Sequence, residues 1–131
     1  MTKTLTKQTQ KRNQKLMLDI INYLQKRSMF SDVNIYCNNH KYSSEKTEDA
    51  VPLTSKNGTY YDCGEWDVEK QIEYCNPDIL TMTFEGPLYH DYNYYLPRMS
   101  DCHAEEDIQK ICGKYGLYPE QGYAWSLAVY E

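Results

Sequence analysis

Residues 79–87 read ILTMTFEGP. Leu80, Met82 and Phe84 alternate with Thr81, Thr83 and Glu85, so an extended segment here has one apolar and one polar face. That is the period-two pattern of a half-buried strand. Asn76-Pro77-Asp78, just before it, is a turn signal. Gly86-Pro87, just after it, ends the strand and opens a helix, because proline in the first helical turn forfeits only an N–H that has no helical partner anyway. A strand running straight into a helix, in a chain that also opens with a helical apolar pattern, predicts an α+β domain.

Beyond Pro87, a helix to about residue 95 places Leu88, Tyr92 and Leu96 on one side, with Tyr89 and Tyr95 flanking them and Pro97 as the stop. His90, Asp91 and Tyr94 then point outward. Residues 100–116 form the next expected helix, capped by Ser100 or Asp101. Its buried stripe is Ala104, Ile108, Ile111, Cys112 and Tyr115, and Gly116 ends it. Glu105, Glu106 and Asp107 near its start and Lys110 and Lys114 near its end suit the helix dipole. The chain closes with large residues (Tyr123, Trp125, Leu127, Val129) alternating with small ones (Ala124, Ser126, Ala128). This predicts a C-terminal strand with a helix packed on its small face.

On the N-terminal side, residues 1–11 read as a flexible polar segment. Leu16, Met17, Ile20, Ile21 and Leu24 then make one stripe of a helix over residues 12–27. Val33, Ile35 and Cys37 alternate as a strand, and Asn38-Asn39 accepts the positive φ of a tight turn into a return strand at residues 40–43. Asn57-Gly58 predicts a second hairpin with a type I′ turn, pairing residues 51–56 with 59–63, and Pro52 confines its first strand to a sheet edge. Residues 65–78 fit a short helix or an irregular turn, with Val68, Ile72 and Cys75 at helical spacing. The expected architecture is one domain over residues 12–131: an N-terminal helix, a mainly antiparallel sheet of four or five strands, two further helices and a C-terminal strand.

The chain has 131 residues, enough for a single core. Fourteen of its aromatic residues are tyrosines, which suit core rims and interfaces because the hydroxyl wants a partner. No apolar run is long enough to span a bilayer, the first residues lack the apolar core of a secretory signal, and five cysteines form an odd set. A cytoplasmic protein with reduced thiols is expected, with no membrane partner. Charge is unevenly distributed. Residues 1–27 carry net +6, residues 28–131 net −11, and residues 62–107 alone net −10. Such asymmetry speaks to partners rather than to fold.

Enzymatic motifs are sparse. No CxxC, HxxH or HExxH spacing occurs, so no metal site is expected, although Cys63, Cys75 and Cys102 could assemble one from a distance. Cys37, Cys75 and Cys112 read more simply as small core residues. Cys63 and Cys102 are the only plausible nucleophiles, and acidic neighbours raise rather than lower a thiol pKa. No glycine-rich phosphate loop is present and no cofactor is expected. Two macromolecular readings remain. The basic N-terminal helix could contact phosphate, against the repulsion of a net −11 remainder, so direct nucleic-acid binding is not expected. Alternatively the acidic surface is the working part. Carboxylates on a domain rim can imitate a duplex's phosphate array and occupy a basic cleft, with tyrosines as anchors. The plain reading is that these carboxylates only solvate the surface.

Three segments carry a resemblance. "NPDILTMTFEGPLYHDYNYY", "KYGLYPEQGYAWSLAVYE" and the earlier "YLQKRSMFSDVNIYCNNHKYSS" resemble parts of small accessory proteins encoded by phages and integrative mobile elements of Gram-positive bacteria. No catalytic motif comes with it. What the resemblance implies is a mobile-element setting, where small acidic proteins often inhibit host defence, including anti-CRISPR proteins that mimic DNA. The expectation is therefore a non-enzymatic inhibitor of a host defence nuclease, such as a type II CRISPR effector. Its expected surface comprises Asp62, Glu65, Asp67, Glu69, Glu73 and Asp78 with Asp101, Glu105, Glu106 and Asp107, and Tyr60, Tyr61, Tyr89 and Tyr94 as anchors. A DNA-associated conjugation or replication accessory protein, binding through the basic N-terminal helix, is the alternative. A small metal-dependent or cysteine enzyme is the third class.

Overall fold

The computed structural model describes residues 5–93 and 103–131. Helix α1 spans Lys7–Lys26, starting ahead of the expected Arg12. The Thr6 side chain accepts a hydrogen bond from the Thr9 N–H at 3.1 Å, satisfying one of the orphan donors of the first turn. That cap lets the helix begin within the polar segment. Leu16, Met17, Ile20, Ile21 and Leu24 form its inner stripe, and all are buried. The helix ends without glycine. Ser28 takes a left-handed φ of 57°, Ser28 N donates to the Gln25 carbonyl and Met29 N to that of Leu24. These paired bonds are a Schellman closure, with serine where glycine is usual.

The sheet has seven antiparallel strands among the described residues, more than the four or five expected. They are β1 (Val33–Cys37), β2 (His40–Ser43), β3 (Val51–Ser55), β4 (Gly58–Glu65), β5 (Leu80–Phe84), β6 (Tyr118–Gln121) and β7 (Ser126–Tyr130). The spatial order is β3-β4-β2-β1-β5-β7-β6. The strand read from ILTMTFEGP lies inside it, between β1 and β7, with Met82 opposite both Ile35 and Leu127. Leu80, Met82, Phe84, Val33, Ile35, Cys37, Leu127 and Val129 form one continuous core with α1. Pro52 and Pro119 lie on the two edge strands, where a missing N–H breaks no interior ladder.

The two hairpin turns differ. Asn38 and Asn39 both have positive φ, 52° and 63°, as expected. The second turn does not follow expectation. Ser55 pairs with Gly58, so the turn residues are Lys56 and Asn57, and no positive φ occurs there. Helix α1 sets this geometry. Asn57 donates to the Asn22 carbonyl, Gln25 Nε2 to the Thr59 carbonyl, and Ser55 Oγ to Gln25 Oε1. Tertiary docking has overridden the local turn preference.

Helix α2 (Pro87–Tyr92) starts at the expected proline. Gly86 is needed there because a Cβ would lie 2.5 Å from the Ser31 carbonyl oxygen. Leu88 and Tyr92 face the core, and Tyr92 meets Phe84 at 5.5 Å between ring centroids. Helix α3 (Ala104–Gly113) buries Ala104, Ile108 and Cys112 against the same core. Gly116, at φ 73°, closes it, with Leu117 N donating to the Cys112 carbonyl. The expected cap at Ser100 or Asp101 lies outside the described residues. His103 occupies the N-cap position and makes no capping bond. Asp91 of α2 supplies an acceptor instead, its Oδ1 taking the Ala104 N–H at 2.8 Å. Asp91 thus points inward, correcting the outward reading. His90 is exposed, and Tyr94 lies outside the described residues.

The opposite face of β5 and β7 is also covered, by irregular chain rather than by the expected helix. After a single 3-10 turn (Val68–Lys70), residues 71–76 cross it. Asn76 N donates to Thr81 Oγ1, and Asn76 Nδ2 to the Val129 carbonyl at 2.7 Å. Thr81, Ser126 and Ala128 are buried beneath, which accounts for their small size. The final strand is also shorter than expected. Tyr123 and Trp125 stand on the β6–β7 turn, outside β7.

Candidate partner-binding surface

The acidic residues expected as one surface fall into two groups on different layers. The first lies on β4 and the segment after it. Gly64, at φ 93°, accompanies a register shift between β2 and β4, a bulge near the strand's end. Asp62 is partly engaged: its Oδ1 lies 3.0 Å from His40 Nδ1 and accepts the Gly64 N–H. Asp67 caps the 3-10 turn through the Glu69 N–H. Glu65, Glu69 and Glu73 are exposed, and none forms an ion pair with a described residue. Asp78 is held in the Asn76-Pro77-Asp78 turn, where its N–H bonds Asn76 Oδ1 and its carbonyl accepts Asn13 Nδ2.

The second group sits on α3, across the sheet from residues 71–76. Glu105 and Glu106 are exposed. Asp107 is not available to a partner, because its Oδ2 accepts the Tyr23 hydroxyl at 2.6 Å and lies 3.3 Å from Arg27 Nη1. With Asp91, 3.7 Å from Arg27 Nη2, it ties α1, α2 and α3 together. Asp101 is outside the described residues.

The tyrosine anchors require correction. Tyr60 is only 5% exposed and packs on Tyr42 in the core, so it cannot anchor a partner. Tyr61 and Tyr89 are half-buried. Among the described residues the exposed Tyr and Trp side chains are others: Tyr74, Tyr118, Tyr123 and Trp125. Three of these form one cluster. Tyr123 and Trp125 stack at 4.9 Å and 11°, and Tyr74 meets Tyr123 edge-on at 5.2 Å. Gly122 makes the contact possible, since a Cβ there would lie 2.7 Å from Tyr74 Cβ. Glu73 accepts the Tyr123 hydroxyl at 2.8 Å, joining the cluster to the acidic group. Gly122 preceding "YAW" was the available signal, since it interrupts the strand pattern where the turn falls.

The field of these carboxylates is felt locally. The hydrogen bond to Glu73 raises the Tyr123 pKa. Burial, then Glu69 and Asp67, raise the Cys75 thiol. Burial pushes Cys37 up to about 12 and Cys112 up to about 11, so both thiols stay protonated at neutral pH. Among the described residues no group of three or more His, Cys, Asp or Glu side chains is placed to hold a metal ion, and Cys102 lies outside them. The crevice lined by Cys37, His40, Trp66 and Glu69 has a volume of about 10 Å³, room for one water. No helix among the described residues is long and apolar enough to cross a membrane.

Compared with protein-family models, curated proteins and solved structures, the chain matches none.

Proposed function

We propose that this is a non-enzymatic binding protein that presents the carboxylates of β4 and residues 65–73 to a basic protein cleft. In the setting its sequence resemblance implies, that cleft belongs to a bacterial defence nuclease such as a type II CRISPR effector, and the protein inhibits it by standing in for DNA. The observation that carries this reading is the joining of exposed Glu65, Glu69 and Glu73, unpaired by any described cation, to a cluster of exposed rings through the Glu73–Tyr123 hydrogen bond. Unpaired carboxylates supply steering and register, and rings supply desolvated contact area. The α3 carboxylates, on the other layer, are not part of this surface.

The test is displacement of a labelled DNA duplex from a purified type II CRISPR nuclease by the purified chain. The proposal requires displacement that weakens as salt rises, because the attraction is screened. Undiminished DNA binding and cleavage at saturating inhibitor would refute it for that nuclease class.

A second reading rests on α1. Lys7, Lys11 and Lys15 are exposed and recur every fourth residue, about 6 Å apart along the axis. They suit a DNA-associated accessory protein. A gel shift abolished by Lys7→Ala, Lys11→Ala and Lys15→Ala together would favour it.

A further inference from the structure

Exposed aromatic rings on a protein surface ask for a partner when they are clustered and rigid. Here Tyr123 and Trp125 stand on a turn fixed by its own backbone, and Tyr74 reaches Tyr123 from residues 71–76. Gly122 N donates to the Ser126 carbonyl and Ser126 N to the Tyr123 carbonyl. Tyr123 N donates to Ser126 Oγ, and Phe84 N to the Trp125 carbonyl at 2.8 Å. Asn93 Nδ2 of the α2 terminus and Gln121 Nε2 both donate to the Ala124 carbonyl. The turn is thus preorganised, and little conformational freedom would be lost on binding.

The electronics of the cluster select a cation. The face of an indole or phenol ring is negative, and a carboxylate sits at its rim. Two cations already lie over rings among the described residues: Lys41 Nζ is 4.6 Å from the Trp66 ring centroid, and the Arg27 guanidinium is 5.8 Å from that of Tyr23, whose hydroxyl donates to Asp107. Trp125, Tyr123 and Tyr74 have no cation over them among the described residues. Guanidinium is a better match than ammonium, because it is planar, stacks on rings and is weakly hydrated.

We propose that Trp125, Tyr123 and Tyr74 with Glu73 form a seat for an arginine side chain of the protein's partner. The seat rests on the reading above that the partner surface is basic, and it names the residue type that surface must place there. Charge complementarity commits the occupant: residues 62–78 carry six carboxylates against Lys70 alone, which disfavours a nucleic-acid strand stacking on the same rings.

The experiment titrates the full chain with an alternating Arg-Gly octapeptide and follows the Trp125 side-chain indole N–H by two-dimensional NMR. A Lys-Gly octapeptide and oligo-dT are run alongside. The seat predicts a saturable shift of Trp125 with the arginine peptide and binding about three- to tenfold weaker for the lysine peptide. Trp125→Leu keeps apolar bulk but removes the ring and with it the indole probe, so binding to the variants is read from the backbone amides of residues 122–126; it should weaken arginine-peptide binding by a similar factor. Trp125→Phe should restore most of it, which distinguishes the seat from a general loss of folding. Arginine-peptide binding that is unchanged in Trp125→Leu refutes the seat while leaving the acidic surface in place. The absence of saturable peptide binding overturns the seat. A Trp125 shift produced by oligo-dT rather than by peptide overturns both the seat and the acidic-surface reading.

Discussion

Gly86→Ala is the sharpest test of how β5 is turned into α2. The added Cβ would lie 2.5 Å from the Ser31 carbonyl oxygen, about 0.5 Å inside the closest approach real Cβ atoms make. Backbone rather than a flexible side chain is in the way, so the Ser31–Asp32 segment has to move. It is not free to do so. The Asp32 carbonyl accepts the Glu85 N–H at 3.1 Å, Asp32 N donates to Glu45 Oε2, and Val33 N donates to Ser44 Oγ. Overpacking of this kind costs about 1–3 kcal/mol, and loosening one of those bonds adds about 1 kcal/mol. The restriction of the unfolded chain returns about 0.5–1 kcal/mol. The expected net loss is about 1–3.5 kcal/mol, read as a drop in the urea midpoint at unchanged slope. Gly113→Ala is the matched control. It lies in α3 with nothing within 4 Å of a new Cβ, so the same chemical change should stabilise by about 0.5–1 kcal/mol. If both variants melt within about 0.5 kcal/mol of the parent, the close approach at Gly86 does not constrain the fold and the reasoning fails.

Three other outcomes follow from the same structure. Ser28→Gly should stabilise by about 1 kcal/mol, because a left-handed serine closes α1 where glycine costs less; a denaturant midpoint that does not rise contradicts the closure. Asp91→Ala should cost about 1–2 kcal/mol by removing the acceptor for the first amide of α3, whereas Asp91→Asn, which can keep that acceptor, should cost less; equal losses would contradict the capping role. Stability should fall at alkaline pH. Burial first, then the hydrogen bond to Asp19, push Tyr115 up to about 12, and burial is likewise the first cause raising Tyr23, Tyr42 and Tyr92. The unfolded chain releases these protons first, so their contribution is complete below about pH 10 and is lost as pH rises towards the folded values. Tyrosinate absorbance that appears in full while circular dichroism remains native would contradict this.

The parts of the fold legible in the sequence are those where local pattern and tertiary need agree. The strand at Leu80–Phe84, the Asn38-Asn39 turn, the Gly86-Pro87 helix start and the stripes of α1 and α3 all follow from period and from special backbone residues. The misreadings occur where distant contacts decide. Gln25 and Asn22 of α1 fix the β3–β4 turn one residue earlier than Asn57-Gly58 suggested. The small face of β7 is covered by residues 71–76, which run irregularly although Val68, Ile72 and Cys75 fall at helical spacing. β6 escaped notice because four residues containing Pro119 show little alternation, and it survives as an edge strand. The opposite error placed Tyr123 and Trp125 on a supposed strand face, because the alternation of β7 runs back through the exposed turn. For the surface, composition located the acidic segment but not its division. Asp107 and Asp91 are spent on Arg27 and on the start of α3, and Tyr60 is core. Burial and hydrogen-bond partners, which no linear pattern encodes, separate the structural carboxylates from the exposed ones.

The central claim is that the surface at residues 65–73, and not α3, meets a basic partner. The direct measurement is DNA displacement from a purified type II CRISPR nuclease by two charge-reversed proteins of confirmed fold. One carries Glu65→Lys, Glu69→Lys and Glu73→Lys, and the other Glu105→Lys and Glu106→Lys. The account predicts that the first loses potency by about tenfold or more while the second stays within about threefold of the parent. Equal potency of the first variant and the parent would contradict it, as would a loss confined to the second.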